Sequence, residues 1–155
     1  MELTTRPLRP TDATACDDIM RSLPEFFGHE GGLADYREAV RTQEGWVAED
    51  GGEVVGFAIW ALRTDATAEI TWAAVHRERR HGGFGTAVVE ALCEDLAGRG
   101  YRLALAMTSA RDKGTYEQED VYEPTRQFWF ARGFHPLIEL DIWDTNYALL
   151  MVRTL

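Results

Sequence analysis

The stretch from Glu69 to Gly98 constrains the fold most, because an apolar period of two gives way there to a period of nearly four across a basic, glycine-rich join. Glu69 to Val75 reads as a strand carrying Ile70, Trp72 and Ala74 on one face. From Gly85 to Gly98, Val88, Leu92 and Leu96 recur at every fourth position with Val89 and Cys93 beside them, the stripe of an amphipathic helix. The join is Val75-His76-Arg77-Glu78-Arg79-Arg80-His81-Gly82-Gly83-Phe84-Gly85-Thr86. A strand feeding a helix in this way predicts an α/β chain.

Other elements follow from punctuation. Glu2 to Thr5 reads as a short strand ended by Pro7 and Pro10, and Thr11 or Asp12 caps a helix running to about Ser22. Leu23 to Gly28 reads as a turn leading past Gly31 and Gly32 to a second helix around Leu33 to Arg41. Trp46 to Ala48 and Val54 to Trp60 flank Asp50-Gly51-Gly52, a hairpin of two central antiparallel strands. Beyond the amphipathic helix, Leu103, Leu105 and Met107 mark a strand, and Ser109 to Asp120 reads as a polar loop. Pro124 opens a last helix ended by Gly133, and strands around Leu137 to Ile142 and Tyr147 to Val152 follow. With no repeat or linker, residues 1–155 are expected to form a single domain.

Charge narrows the partners. Sixteen Lys and Arg stand against 26 Asp and Glu, a net charge of −10, with no basic block for a nucleic-acid backbone. Two cysteines, Cys16 and Cys93, make no disulfide framework, and neither they nor the four scattered histidines have metal-site spacing, so no metal is expected. Val54 to Leu62 is too short to span a membrane, and Met1 to Pro10 is too polar for a signal peptide. A cytoplasmic protein without membrane partners is the expectation.

Against that acidic background, Arg77, Arg79 and Arg80 at a glycine-rich helix start suit an anion. The start of a helix leaves about four N–H groups without internal partners, and glycine lets backbone approach a phosphate closely. The Walker pattern is absent, and a dinucleotide fingerprint from Gly83 would need a small residue where Val88 stands. On these residues alone, a tight turn with solvated arginines weighs about evenly with a ligand loop.

Arg80-x-x-Gly83-x-Gly85, preceded by Glu69-Ile70-x-x-x-Ala74-Val75 and followed by the amphipathic helix, resembles the acyl-CoA-binding motif of the GNAT superfamily of N-acetyltransferases. Thr5-Arg6-Pro7-Leu8-Arg9-x-x-Asp12 resembles its first strand and helix start, Val54-Val55-Gly56-Phe57 its third strand, and Phe128-x-x-x-x-Gly133-Phe134 its last helix. The resemblance implies an α/β (α+β) fold with a mixed, mostly antiparallel sheet of roughly six to seven strands and about four helices. Its fourth and fifth strands would splay around the pantetheine arm of acetyl-CoA. The amides of Arg80, His81, Gly82, Gly83, Phe84, Gly85 and Thr86 would hold the pyrophosphate. Backbone at Ala74 and Val75 would bind pantetheine and polarise the thioester.

The resemblance also implies acid–base roles. An amine acceptor must lose a proton, and Glu69 stands where family members often place a carboxylate base; a charged strand end is its plainer role. The usual tyrosine that protonates the departing sulfur falls at position 129, which is Trp129 here. An indole N–H can donate a hydrogen bond but supplies no proton, so Tyr122 becomes the nearest substitute, with packing as its alternative. Phe128, Trp129 and Phe130 cannot share one helix face.

The acceptor side would be rimmed by Leu23 to Gly28 and the last two strands. Phe26, Phe27, Tyr36 and Trp143, with Glu25, Glu117, Glu119, Asp120 and Glu123, could recognise a cation, although a solvated acidic surface is the favoured reading of the carboxylates. Expected partners are acetyl-CoA as co-substrate and a small amine, cationic in one version, with a homodimer allowed. The leading function is acetyl transfer to that amine. An acyl-CoA-binding sensor without turnover, or an acetyltransferase for protein lysines or N-termini, are the alternatives.

Overall fold

The structure, a computed structural model, describes residues 1–27, 30–112 and 120–155, without the side chains of Phe27, Glu30, Arg111 and Asp112. Seven strands form one sheet in the order β1-β2-β3-β4-β5-β7-β6. They are β1 (Leu3–Pro7), β2 (Glu44–Asp50), β3 (Glu53–Thr64), β4 (Thr67–Val75), β5 (Leu103–Asp112), β6 (His135–Leu140) and β7 (Asn146–Thr154). Every neighbouring pair is antiparallel except β4 with β5. The helices are α1 (Ala13–Arg21), α2 (Pro24–Phe27), α3 (Glu30–Thr42), α4 (Phe84–Gly98) and α5 (Glu123–Ala131).

Helices cover both sheet faces. On one, Val88, Val89, Leu92, Cys93 and Leu96 of α4 and Trp129 of α5 pack with Ala58, Trp60, Ala104, Ala106 and Met151. Each fully buried aliphatic side chain there contributes about 1.5–3 kcal/mol. On the other, Cys16, Ile19 and Met20 of α1 and Tyr36, Ala39 and Val40 of α3 pack on Val47, Phe57 and Ile59.

Several expected boundaries shift for identifiable reasons. The first strand continues through Pro7, which pairs with Trp46, because β1 is an edge strand where a missing N–H costs no ladder bond. Pro24 to Phe27, expected as a turn, forms one helical turn with proline in its first position. Ser109 to Asp112, expected as loop, extends β5, because Ser109 pairs with Ala148, Arg111 with Tyr147 and Asp112 with Asn146. The hairpin turn lies as expected, with Gly51 and Gly52 at φ 58° and 89° between β2 and β3.

The expected face of β4 is broken at its centre. Ile59 pairs with Trp72 and Trp60 with Ile70, so Thr71 is an extra residue, a β-bulge. Parity inverts there: Ile70 joins the α4 cluster, whereas Trp72 and Ala74 lie against the α1/α3 cluster.

Candidate active site

The bulge lies where β4 leaves its parallel neighbour. β4 and β5 pair from Thr67 with Leu103 to Ile70 with Ala106, and beyond that β4 runs to Val75 and β5 to Asp112 without pairing to each other. The strands therefore part into an opening. His76 donates its N–H to the Val55 carbonyl at 2.8 Å. By antiparallel alternation, Trp72 and Ala74 turn their backbone groups toward β3, while Ala73 and Val75 direct theirs at the opening. Val75 thus stands at the expected edge, whereas the peptide groups of Ala74 are committed to Phe57.

Past Val75 the chain makes a 3-10 turn at Arg77–Arg79 and enters α4 at Phe84. Gly83 is its N-cap with φ 85°, a left-handed conformation that favours glycine, and no side chain caps this end. The first-turn amides remain available to an external acceptor. At Gly85 an added Cβ would lie 3.3 Å from the Phe128 ring and 3.4 Å from Val75 Cγ2, so a larger residue would push these side chains back by a few tenths of an ångström. His81 is exposed at φ 66°, and His76 Nδ1 accepts from the Glu78 amide at 3.2 Å. The Phe84 side chain is core, leaving its backbone to the loop. Thr86 Oγ1 accepts from Arg132, a cation near the loop that sequence reasoning missed.

The three loop arginines are not equivalent. Arg77 pairs with Glu25 and donates from Nε to the Ser22 carbonyl at 2.8 Å. Arg79 lies 3.4 Å from Asp50 and 3.5 Å from Glu53. Arg80 has no carboxylate partner among the described residues, and its guanidinium sits 5.5 Å above the Phe26 ring. It forms no ion pair there, although its field adds to the Glu25 backbone amide and Arg77 in holding the Glu25 carboxyl below its ordinary value.

Glu69 and Tyr122 are each engaged. Glu69 Oε1 accepts from Arg63 Nε at 3.0 Å, with 12% of its side chain exposed. Tyr122 precedes α5, donates its hydroxyl to the Phe26 carbonyl at 3.3 Å and meets the Phe26 ring edge-on at 5.2 Å. Burial, with the Glu25 charge behind it, pushes its phenol above the ordinary tyrosine value, so it stays protonated at neutral pH. Trp129 is 7% exposed and packs edge-to-face on Phe134 at 5.0 Å and Phe128 at 5.3 Å. Burial lifts Cys16 to about 12 and Cys93 to about 11, which makes both poor nucleophiles.

Among the described residues, several members of the expected cation-recognising set are engaged elsewhere. Tyr36 is core, with its hydroxyl on Asp17 at 3.1 Å and its ring on Phe57 and Trp72, and it borders a cavity with Asp17, Met20 and Leu33 between α1 and α3. Glu25 is neutralised by Arg77, and Asp120 and Glu123 both pair with Arg126, which is 8% exposed and donates to the Ser109 carbonyl at 2.7 Å. The i to i+3 spacing of Glu123 and Arg126 was the one sequence signal for that cluster. Trp143 stands 38% exposed between β6 and β7. The Phe27 side chain, Gly28, Glu117 and Glu119 lie outside the described residues.

Residues 13–118, which span the bulged strand, the glycine loop and α4, match the family model described as "Acetyltransferase (GNAT) family". The chain belongs to that family. GNAT architecture also appears in solved structures that the chain covers almost end to end. A GNAT-family protein from Desulfovibrio desulfuricans superposes with a TM-score of 0.83 at 22% identity, covering 99% of both chains. The ribosomal-protein-S18-alanine N-acetyltransferase from Escherichia coli gives 0.78 at 16% identity, covering 99% of this chain and 94% of that one. An aminoglycoside 6′-N-acetyltransferase complexed with coenzyme A gives 0.72 at 21% identity, covering 99% and 97%. No curated relative matches the sequence. Two GNAT neighbours with such different acceptors show that this fold leaves the acceptor open. Among the described residues, no helix is long and apolar enough to cross a membrane.

Proposed function

We propose that this GNAT chain moves the acetyl group of acetyl-CoA to a primary amine of a small molecule by direct attack. The observation carrying this reading is the uncapped start of α4 beside Arg80, set next to the opening between β4 and β5. Amides of Arg80 to Thr86 would take the pyrophosphate. The inward-facing backbone of Ala73 and Val75 would take the pantetheine and polarise the thioester carbonyl. The amine nitrogen would form its bond to the carbonyl carbon as the carbon–sulfur bond breaks. One proton leaves the amine, and coenzyme A departs as thiolate or thiol.

Glu69 would accept that amine proton through water, its carboxylate oriented by Arg63. Tyr122 would serve as hydrogen-bond donor at the wall of the site, its proton held by burial. Phe26 and Trp143 remain as acceptor-side surface. Arg77 offsets Glu25, but Asp120 and Glu123 share the single Arg126, which leaves one negative charge at the start of α5 and keeps a cationic amine within the reading.

One observation favours a second reading, a non-catalytic acyl-CoA sensor. The residue at the usual tyrosine position, Trp129, is packed into the core. Thiol release from acetyl-CoA across polyamines, amino acids, aminoglycosides and peptides separates the two. Turnover with one of the small amines supports the transferase, and tight acetyl-CoA binding with no turnover on any acceptor supports the sensor. With an acceptor in hand, Glu69→Gln should lower kcat by about 10²-fold below the acceptor's pKa and much less above it. An unchanged pH–rate profile removes Glu69 from the reaction.

A further inference from the structure

Arg77 was expected to lend charge to phosphate, yet its contacts run the other way. Its backbone N–H donates to Ser22 Oγ at 3.1 Å, its Nε to the Ser22 carbonyl at 2.8 Å, and its guanidinium pairs with Glu25. Three residues on, Arg80 covers one face of Phe26. The ring and carbonyl of the same Phe26 receive Tyr122 from the start of α5. Ser22 to Phe26 is therefore a strap that touches the glycine-rich loop at two arginines and the start of α5 at Tyr122.

We propose that Arg77 is a positioning residue that locks the Ser22–Phe26 strap to the cofactor loop, so that coenzyme A on the loop orders the acceptor-side wall through Glu25 and Phe26. The inference rests on the reading that the loop binds coenzyme A. The physical argument is one of linkage. A ligand that fixes the loop also fixes everything bonded to it, and the coupling is carried by the contacts joining the two parts. Arg77 contributes two of these contacts through its guanidinium, and Arg80 adds a ring contact to Phe26 and a favourable field at Glu25.

The pair is suited to a clean test. Arg77 and Glu25 side chains are 50% and 34% exposed, and an ion pair so exposed contributes little to global stability, so its variants fold. Hydrogen exchange at the Leu23, Glu25 and Phe26 amides is measured with and without coenzyme A in the parent chain, Arg77→Ala and Glu25→Gln. Calorimetric coenzyme A affinity is taken on the same samples. Coenzyme A should slow exchange in the parent by about fivefold or more, and by less than about twofold in either variant, with affinity held within about threefold. A merely structural loss would speed exchange equally in free and bound protein and leave their ratio at the parent value, which overturns the proposal. So does a parent chain that binds coenzyme A with no change at the strap. An affinity loss above about tenfold in Arg77→Ala, with Glu25→Gln unaffected, makes Arg77 a direct phosphate ligand instead. A parent chain that binds no coenzyme A refutes the cofactor reading itself, and the inference with it.

Discussion

The loop from His76 to Thr86 and the strap from Ser22 to Phe26 meet through Arg77 and Arg80, yet they are built in opposite ways. The loop offers backbone: an uncapped helix start, a left-handed Gly83, and Gly85 pressed close beneath Phe128. The strap and its surroundings offer side chains from three separate regions, with Tyr122 and Arg77 arriving 96 and 52 residues away from the groups they contact in Phe26 and Glu25. A backbone site tolerates change in its side chains and fails when its dihedral angles or free space are altered. A side-chain wall fails one contact at a time. If the loop binds coenzyme A as proposed, substitutions along the strap should alter the acceptor side while sparing the loop.

The largest effect should come from filling the backbone side. In Gly83→Glu the left-handed φ strains the new residue by about 1–2 kcal/mol, and a carboxylate stands where the helix start invites an anion. The nearest atom to an added Cβ is Leu3 Cδ1 at 3.8 Å, so the chain has room to fold. Coenzyme A affinity should fall by about 100-fold or more, equivalent to about 2.7 kcal/mol. Unchanged calorimetric affinity in folded Gly83→Glu would move the cofactor elsewhere and erase the contrast.

The second effect lies under the strap side, at the start of the helix that leads into it. Asp12 is buried and receives Arg6 through both terminal nitrogens at 2.8 and 2.9 Å, and the Arg9 amide at 2.7 Å. The Arg6 hydrogen bonds outweigh burial and, helped by the Arg9 amide, hold this carboxyl below its ordinary value of 3.8. Because the folded state binds the proton less well than the unfolded chain, this stabilisation is present above the ordinary value and is lost as pH falls through the depressed one. Asp12→Asn should cost about 2 kcal/mol at pH 7, the order of the charge-assisted hydrogen bonds it weakens, with the gap from the parent narrowing below about pH 4. Urea midpoints at pH 7, 4 and 3 check both parts, and coenzyme A affinity of the folded variant should stay at the parent value.

Much of this molecule is legible in its sequence where the physics is local. The hairpin at Gly51-Gly52, the stripe of α4 and the glycine loop each need only neighbouring residues, and each lies where the pattern put it. The bulge at Thr71 is invisible because Ile70, Trp72 and Ala74 alternate perfectly in sequence, and only the pairing with β3 reveals the extra residue. The helical turn at Pro24–Phe27 is too short to show a period. Acid residues were harder still. Glu25 looks like part of an acidic acceptor rim until Arg77, 52 residues away, is seen to neutralise it. Charge read along the chain cannot say which charges are already spent on one another.

The smallest effect tests that last point within the loop itself. Arg79 and Arg80 are adjacent and chemically identical, so any difference in their effect on coenzyme A must come from their surroundings. Arg79 faces Asp50 and Glu53, whose carboxylates offset its field, whereas Arg80 rests on an aromatic ring and meets the Glu25 carboxylate only through its field, without an ion pair. Arg80→Gln should weaken coenzyme A binding by about tenfold, the order of one charge-assisted contact, and Arg79→Gln by less than about twofold. Raising the salt should shrink the Arg80 effect while leaving the Arg79 effect near its small starting value, since exposed charges are screened over about 10 Å at 0.1 M. Equal losses from the two substitutions would mean that local pairing does not set the field at the helix start. A larger loss from Arg79→Gln would show that the ligand draws Arg79 away from Asp50 and Glu53, and would place the anion on the hairpin side of the loop.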